Sequence, residues 1–164
     1  MRNLHWAAIA LLASLPSAYL AWTNRDVPHF GAFHDDGLYY ASAKSLAERG
    51  EYRYEFMPGD PANTKYAPGF AAYLAIAWKL NPRFPENLSL AVLLVLLSCP
   101  VFLFFTAVLL RRVAPKVSDR EIAGLVIACG LTPTVGLLSG TLMSEMPFCA
   151  LILCSIWLSD RYAG

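Results

Sequence analysis

Charge is what this chain has least of. Only 15% of its residues are Asp, Glu, Lys or Arg, against about 25% in soluble domains. Those few crowd into 24–86 and 111–121 and leave long apolar runs between. Excess charge of one sign is missing too: the formal net charge is +1, so no basic field points to nucleic acid. Cysteine is missing from every polar segment. Cys99, Cys129, Cys149 and Cys154 all lie inside apolar runs, where the thiol behaves as a small hydrophobe. That pattern implies neither a disulfide framework nor a cysteine metal cluster. What the chain has in quantity is oil: 57% of 164 residues are hydrophobic. An all-α integral membrane protein follows, with about four transmembrane helices.

The candidate spans are 4–22, 88–110, 122–142 and 146–160. The first ends in Ser17, Ala18 and Ala21, which suits a cleaved signal peptide. Pro16 within it and Trp22 at its exit suit an uncleaved anchor better. The second is long enough, at about 1.5 Å per residue, to cross a hydrocarbon core roughly 30 Å thick, and Pro100 predicts a kink in it. The third holds Pro133 among Gly130, Gly136 and Gly140, small residues that let helices approach closely. The fourth is short and closes on Asp160 and Arg161, so thinning or snorkelling would have to help it cross. The loop "RRVAPKVSDR" carries Arg111, Arg112, Lys116 and Arg120; a short basic loop faces the cytoplasm. The N-terminus is then cytoplasmic, and the long segment 23–87 and the turn "TLMSEMPF" lie outside, in a multi-pass protein of the plasma (inner) membrane.

That outer segment is aromatic and patterned, which excludes disorder. The stretch "HDDGLYYASAKSLAERG" reads as one helix from Asp36 to Arg49, capped by Asp35 or Asp36 and closed by Gly50 at C′. Leu38, Ala41, Ser42, Ser45 and Leu46 form its predicted buried stripe. Pro68 opens a second helical run, "GFAAYLAIAWKL", in the first turn where proline is tolerated. Both are too short to span and are expected to be interfacial helices. Tyr39, Tyr40, Tyr52, Tyr54 and Tyr66 read most simply as an interfacial belt.

Asp35 and Asp36 carry the functional question. One aspartate suffices to cap a helix, a contact worth about 1 kcal/mol; two adjacent ones repel. Carboxylates held at a membrane face serve as general base or as ligands for a hard cation. Glu145, in "LMSEMPF", stands at the lip of the later spans, where a carboxylate is expensive unless paired or wet; capping with Ser144 is its plain alternative. Lys65, in "NTKYAPG", is the nearest cation for a phosphate, the alternative being a solvated lysine. His29 and His34 flank the acidic pair and form a weak metal-ligand signal.

The order of one span, "HDDGLYYASAKSLAERGEYR", "TKYAPGFAAYLAIAWKL", a span ending in "RR", and then "SGTLMSEMPF" resembles the N-terminal part of membrane glycosyltransferases of the GT-C superfamily. Within it the chain is similar to the branch with the RgtA/B/C/D-like domain, related to protein mannosyltransferases and lipid A aminoarabinose transferases. The resemblance covers nearly the whole chain, 1–164, as one N-terminal portion of such a transmembrane domain. It implies that Asp35 and Asp36 are the acidic pair of the first outer loop, Asp35 acting on the acceptor, and that Glu145 is the acidic residue of the next. It implies that Lys65 contacts lipid phosphate. Ala67 departs from the proline that many members carry there.

The activity the resemblance implies is transfer of a sugar from a polyprenyl-phosphate donor to a glycan, lipid or protein acceptor at the outer face, with inversion. Membrane lipids are further partners, and nucleic acid is not one. A divalent ion, Mg or Mn, on Asp35 and Asp36 is the candidate cofactor. Members of the family carry more spans, so a fragment is implied, one that need not be active alone. From the residues themselves, a non-catalytic assembly subunit and a transporter fragment with ion-binding carboxylates stay open.

Overall fold

The computed structural model describes residues 2–25, 33 and 35–163. His29 and His34 lie outside them. The described residues form seven helices and no strand, only a single antiparallel bridge between Arg53 and Ala62.

The first helix, α1, runs Arg2–Thr23 with Pro16 inside it. It ends where side chains take over its carbonyls: the Thr23 hydroxyl donates to Tyr19 and Leu20, and Asn24 Nδ2 donates to Leu20 at 2.8 Å. Helix α2, Asp36–Arg49, stops at Gly50 with φ 71°, the left-handed conformation that glycine adopts without penalty. Helix α3, Pro68–Leu80, begins with its proline at the first position, where the missing N–H has no helical partner to lose. All three boundaries match those read from the sequence.

The buried face of α2 matches only at Ser42 and Ser45. Asp36, Tyr39, Tyr40, Ser42, Ala43 and Ser45 are buried, while Leu38 and Ala41 are only half-buried. The helix turns its aromatic and hydroxyl side inward because α3 and the connector between the two helices offer partners for it. Trp78 Nε1 donates to the carbonyl of Tyr40 at 3.3 Å, and the two rings lie 5.0 Å apart. Tyr39, Tyr40 and Tyr54 are therefore buried packing residues rather than a surface belt.

Helix α4, Leu88–Val113, is continuous through Pro100. It buries Ala91, Val92, Val95, Ser98, Cys99, Leu103 and Ala107, a stripe at three- and four-residue spacing. The Tyr73 hydroxyl donates to the Leu94 carbonyl at 2.6 Å and fastens α3 to this helix. The third expected span is broken. Helix α5, Asp119–Gly130, and helix α6, Pro133–Ser139, meet at a bend of 60°. Pro133 cannot donate into the preceding turn. Thr132 serves both sides of the break: its hydroxyl donates to Cys129 O at 2.8 Å and accepts from Val135 N at 3.4 Å.

The last helix, α7, runs Glu145–Ala163. By length and composition α1 and α4 can each cross a membrane, and α5 with α6 makes a third crossing if the bent pair is one span. Helix α7 falls short because Glu145 begins it and Asp160 and Arg161 lie in its last turn. The architecture is thus all-helical with two or three membrane-spanning candidates, as befits a membrane protein.

Arg112 and Asp160 form an ion pair, so α4 and α7 run parallel with their C-terminal ends together. Their beginnings share the other end of the bundle, where α2 and α3 attach. Helix α1 runs parallel to the bent pair. A Cβ on Gly130 would stand 2.3 Å from the Ala13 carbonyl oxygen, one on Gly136 would stand 3.0 Å from Leu20, and one on Gly140 would meet Ala21. Backbone contact between α1 and α5 is possible only because no side chain intervenes at Gly130.

Candidate functional site

Between α2 and α3 the chain folds back on itself. Tyr54 N donates to Pro61 O and Asn63 N to Tyr52 O, each at 3.0 Å, and Gly59 and Asp60 turn the corner at positive φ. This arm delivers Lys65 and Tyr66 to the start of α2, where Asp35 stands. The Tyr66 hydroxyl donates to Asp35 Oδ1, and the Lys65 ammonium lies 3.6 Å from the same oxygen. Lys65 also sits over the Tyr66 ring, 4.6 Å from its centre. Asp35 is the residue before α2, yet its side chain makes no capping hydrogen bond.

Asp36 is turned into the fold. It is 2% exposed; one carboxylate oxygen accepts from Gly37 N at 2.6 Å, the other from Phe33 N at 3.3 Å. It closes the backbone around the entry to α2. The adjacent aspartates thus have separate work: Asp36 holds the turn, and Asp35 meets a phenol and an ammonium.

The electrostatics follow from these contacts. The Tyr66 hydroxyl, and then the charge of Asp35, hold Lys65 protonated above the ordinary lysine range. Loss of water around Tyr66, and then its bond to Asp35, push its phenol up. Nearby, burial raises Tyr54, and burial with neighbouring phenols raises Tyr52 to about 12.

The cluster stands beside a large apolar cavity of about 900 Å³. Ala67, Gly69, Phe70 and Tyr73 of the α3 entry line it, with Leu97, Ser98 and Val101 of α4 and Ser144, Phe148 and Leu151 of the α7 side. Tyr39 lines it too, and joins it to the cluster: its ring lies 4.8 Å from Tyr66 and 5.0 Å from Phe70. The space is apolar, and the charged Lys65 and Asp35 side chains stand beside it.

Glu145 begins α7, immediately after the cavity-lining Ser144. One of its carboxylate oxygens, Oε2, is buried with no hydrogen-bond partner. Of the residues singled out by sequence, Asp35 and Lys65 meet directly, Asp36 serves the backbone, and Glu145 stands at the start of α7 without lining the cavity. Among the described residues no group of three or more His, Cys, Asp or Glu side chains gathers as a metal site.

Tyr66 is the member of the cluster that the sequence does not distinguish from an interfacial tyrosine. Asn63, two residues before Lys65, is of a type that forms turns, the one local signal of its place beside the cluster. No known protein family, curated protein or solved structure matches the chain.

Proposed function

We propose that this chain is the N-terminal part of a membrane glycosyltransferase of the GT-C kind, and that it takes sugar from a polyprenyl-phosphate donor outside the membrane. The observation that carries this reading is the Asp35–Tyr66–Lys65 cluster at the flank of a large apolar cavity. The motif resemblance supports it independently. In this reading α7 and the bent α5–α6 pair also cross the bilayer, four crossings in all with α1 and α4. Helices α2 and α3 lie at the outer surface, and Arg111, Arg112, Lys116 and Arg120 face the cytoplasm.

The isoprenoid tail occupies the cavity along Phe70, Tyr73, Phe148 and Leu151. Its phosphate sits at Lys65, whose ammonium lies 3.6 Å from Asp35 Oδ1. Asp35 takes the proton of the acceptor hydroxyl as that oxygen bonds to the anomeric carbon. The bond from that carbon to the phosphate oxygen breaks, and the polyprenyl phosphate leaves as an anion stabilised by Lys65. The Tyr66 hydroxyl orients the Asp35 carboxylate toward the acceptor. Glu145 faces the sugar from the α7 side.

A divalent ion fits the described residues poorly. The Lys65 ammonium already meets the Asp35 oxygen that would bind it, and both Asp36 oxygens accept backbone N–H bonds.

The test is transfer of labelled sugar from a polyprenyl-phosphate donor, in membranes of cells producing the whole protein. Asp35→Asn should lower transfer by about 10²–10⁴-fold, with unchanged membrane insertion and abundance. Transfer at the wild-type rate in that variant would refute the assignment.

A further inference from the structure

One side chain holds the parts of the cluster in register, and it belongs to none of the groups assigned above. Asn63 is 7% exposed. Its amide oxygen accepts from the Tyr54 hydroxyl at 2.7 Å, from the backbone N–H of Lys65 at 3.1 Å and from that of Tyr66 at 3.3 Å. Its amide nitrogen donates to the Ser42 hydroxyl on α2 at 3.0 Å. Every polar capacity of the acceptor oxygen is used, and the donor side reaches a different element. Asn63 therefore ties three things together: the folded-back arm through Tyr54, helix α2 through Ser42, and the backbone of the two residues that meet Asp35.

This arrangement has a mechanical consequence. Asp35 sits at the entry of α2, while Lys65 and Tyr66 arrive on a connector whose ion pairs to that helix, Lys44–Glu55, Arg49–Glu55 and Arg49–Asp60, all lie ahead of Asn63 and toward the far end of α2. Their approach to Asp35 depends on where the connector is pinned to that helix. The pin is the Asn63–Ser42 bond, on residues buried at both ends. The two N–H bonds to the amide oxygen then fix the direction in which the chain leaves Asn63.

We infer that Asn63 is a positioning residue, which sets the Tyr66 hydroxyl and the Lys65 ammonium on Asp35 by locking their backbone to Ser42 of α2. Its effect on transfer rests on the function proposed above; its effect on the Tyr66–Asp35 contact does not. Asn63 touches no substrate in this account. It acts through the geometry of Tyr66 and Lys65.

The experiment uses the full chain in lipid nanodiscs with ¹³Cζ-labelled tyrosine, the Tyr66 signal being assigned by its loss in Tyr66→Phe. In the wild type, Asp35→Asn moves the titration midpoint of Tyr66 downward. In an Asn63→Ala background the same Asp35→Asn change should leave that midpoint unmoved, because the two groups no longer meet. Asn63→Asp keeps an accepting oxygen toward both N–H groups, and its second oxygen can accept from the Ser42 hydroxyl, which then donates instead of accepting; it should restore the dependence on Asp35. A Tyr66 midpoint that responds to Asp35→Asn equally with and without Asn63 would overturn the inference.

Should Asn63→Ala fail to fold, Ser42→Ala removes the pin on the helix side with a residue that helices favour. It should weaken the response of Tyr66 to Asp35, and an undiminished response there overturns the inference as well. In the transfer assay, Asn63→Ala should lower kcat by about 10–100-fold, the loss expected when reacting groups are displaced by roughly 1 Å, with donor KM raised as well because Lys65 shifts with its backbone. A raised KM with unaltered kcat would contradict the positioning role. Loss of the Tyr66–Asp35 response, in a protein that transfers no sugar even as wild type, would uphold the positioning of Asn63 and remove the enzymatic reading.

Discussion

A phenol between a carboxylate and an ammonium is a titrating arrangement, and at the residue scale it has a pH signature. Burial and neighbouring phenols raise Tyr52 to about 12, and lost hydration together with Asp35 raises Tyr66. A phenol whose folded pKa exceeds its unfolded value, near 10, binds its proton more tightly when folded. Its stabilising contribution is complete below that unfolded value and disappears as pH climbs through the folded one. Thermal stability in detergent should thus be flat through neutral pH and fall between about pH 10 and 12. Tyr52→Phe should flatten part of that fall; an unchanged alkaline slope would show that Tyr52 has no role in it. Residues also mark where the sequence ran short. Asp35 and Lys65 were legible because charged groups are rare here. Tyr66 was not, because its meaning lies in a hydrogen bond to a residue 31 positions away, and no local pattern encodes such a pairing.

Among the elements, α2, α3 and α4 were legible at their ends, through Gly50, Pro68 and the length of the apolar run. The inner face of α2 was legible only in part. Helical spacing marks Ser42 and Ser45 but fills the rest of the stripe with Leu38, Ala41 and Leu46, whereas this helix buries Asp36, Tyr39, Tyr40 and Ala43 and packs Tyr40 on Trp78. The third span shows the opposite failure. Pro133 was visible, yet composition averages across a break in hydrogen bonding, so α5 and α6 read as one. The contact of α1 with α5 yields a paired test. Gly130→Ala would press a methyl group against the Ala13 carbonyl, an overpacking that costs about 1–3 kcal/mol. At Gly124, in the same helix, nothing lies within 4 Å of an added Cβ, and alanine there should stabilise by about 0.5–1 kcal/mol. Reversible unfolding in mixed micelles measures both. Equal effects at the two glycines would mean that α1 and α5 do not touch as described.

At the scale of the whole molecule, the chain is an oily bundle with a folded cap at one end. The Arg112–Asp160 pair fixes which ends of α4 and α7 are shared, and the basic loop after α4 gives that end its expected side of the membrane. In the proposed topology the cap, with Glu51 and Arg53 at its surface, faces outward. A cysteine placed at Glu51 should react with a membrane-impermeant maleimide in intact cells, and one placed at Lys116 should react only after the cells are opened. The reverse pattern would invert the topology and put the cluster on the wrong side for an exported lipid-linked donor. That the molecule is a membrane protein was legible from composition alone. How the cap is tied down was not, because its contacts join residues far apart in the chain.

The central claim is that a lipid-linked sugar phosphate lies in the apolar cavity with its head at Lys65 and Asp35. A polyprenyl-phosphate sugar with a photoreactive group on its first isoprene unit tests this directly, incubated with the full chain in nanodiscs and mapped by mass spectrometry. The account predicts labelling at Phe70, Tyr73, Phe148 or Leu151, suppressed by excess unlabelled donor and lost in Lys65→Glu. Labelling spread over the lipid-facing sides of α1 and α4, indifferent to competitor and to Lys65→Glu, would contradict it.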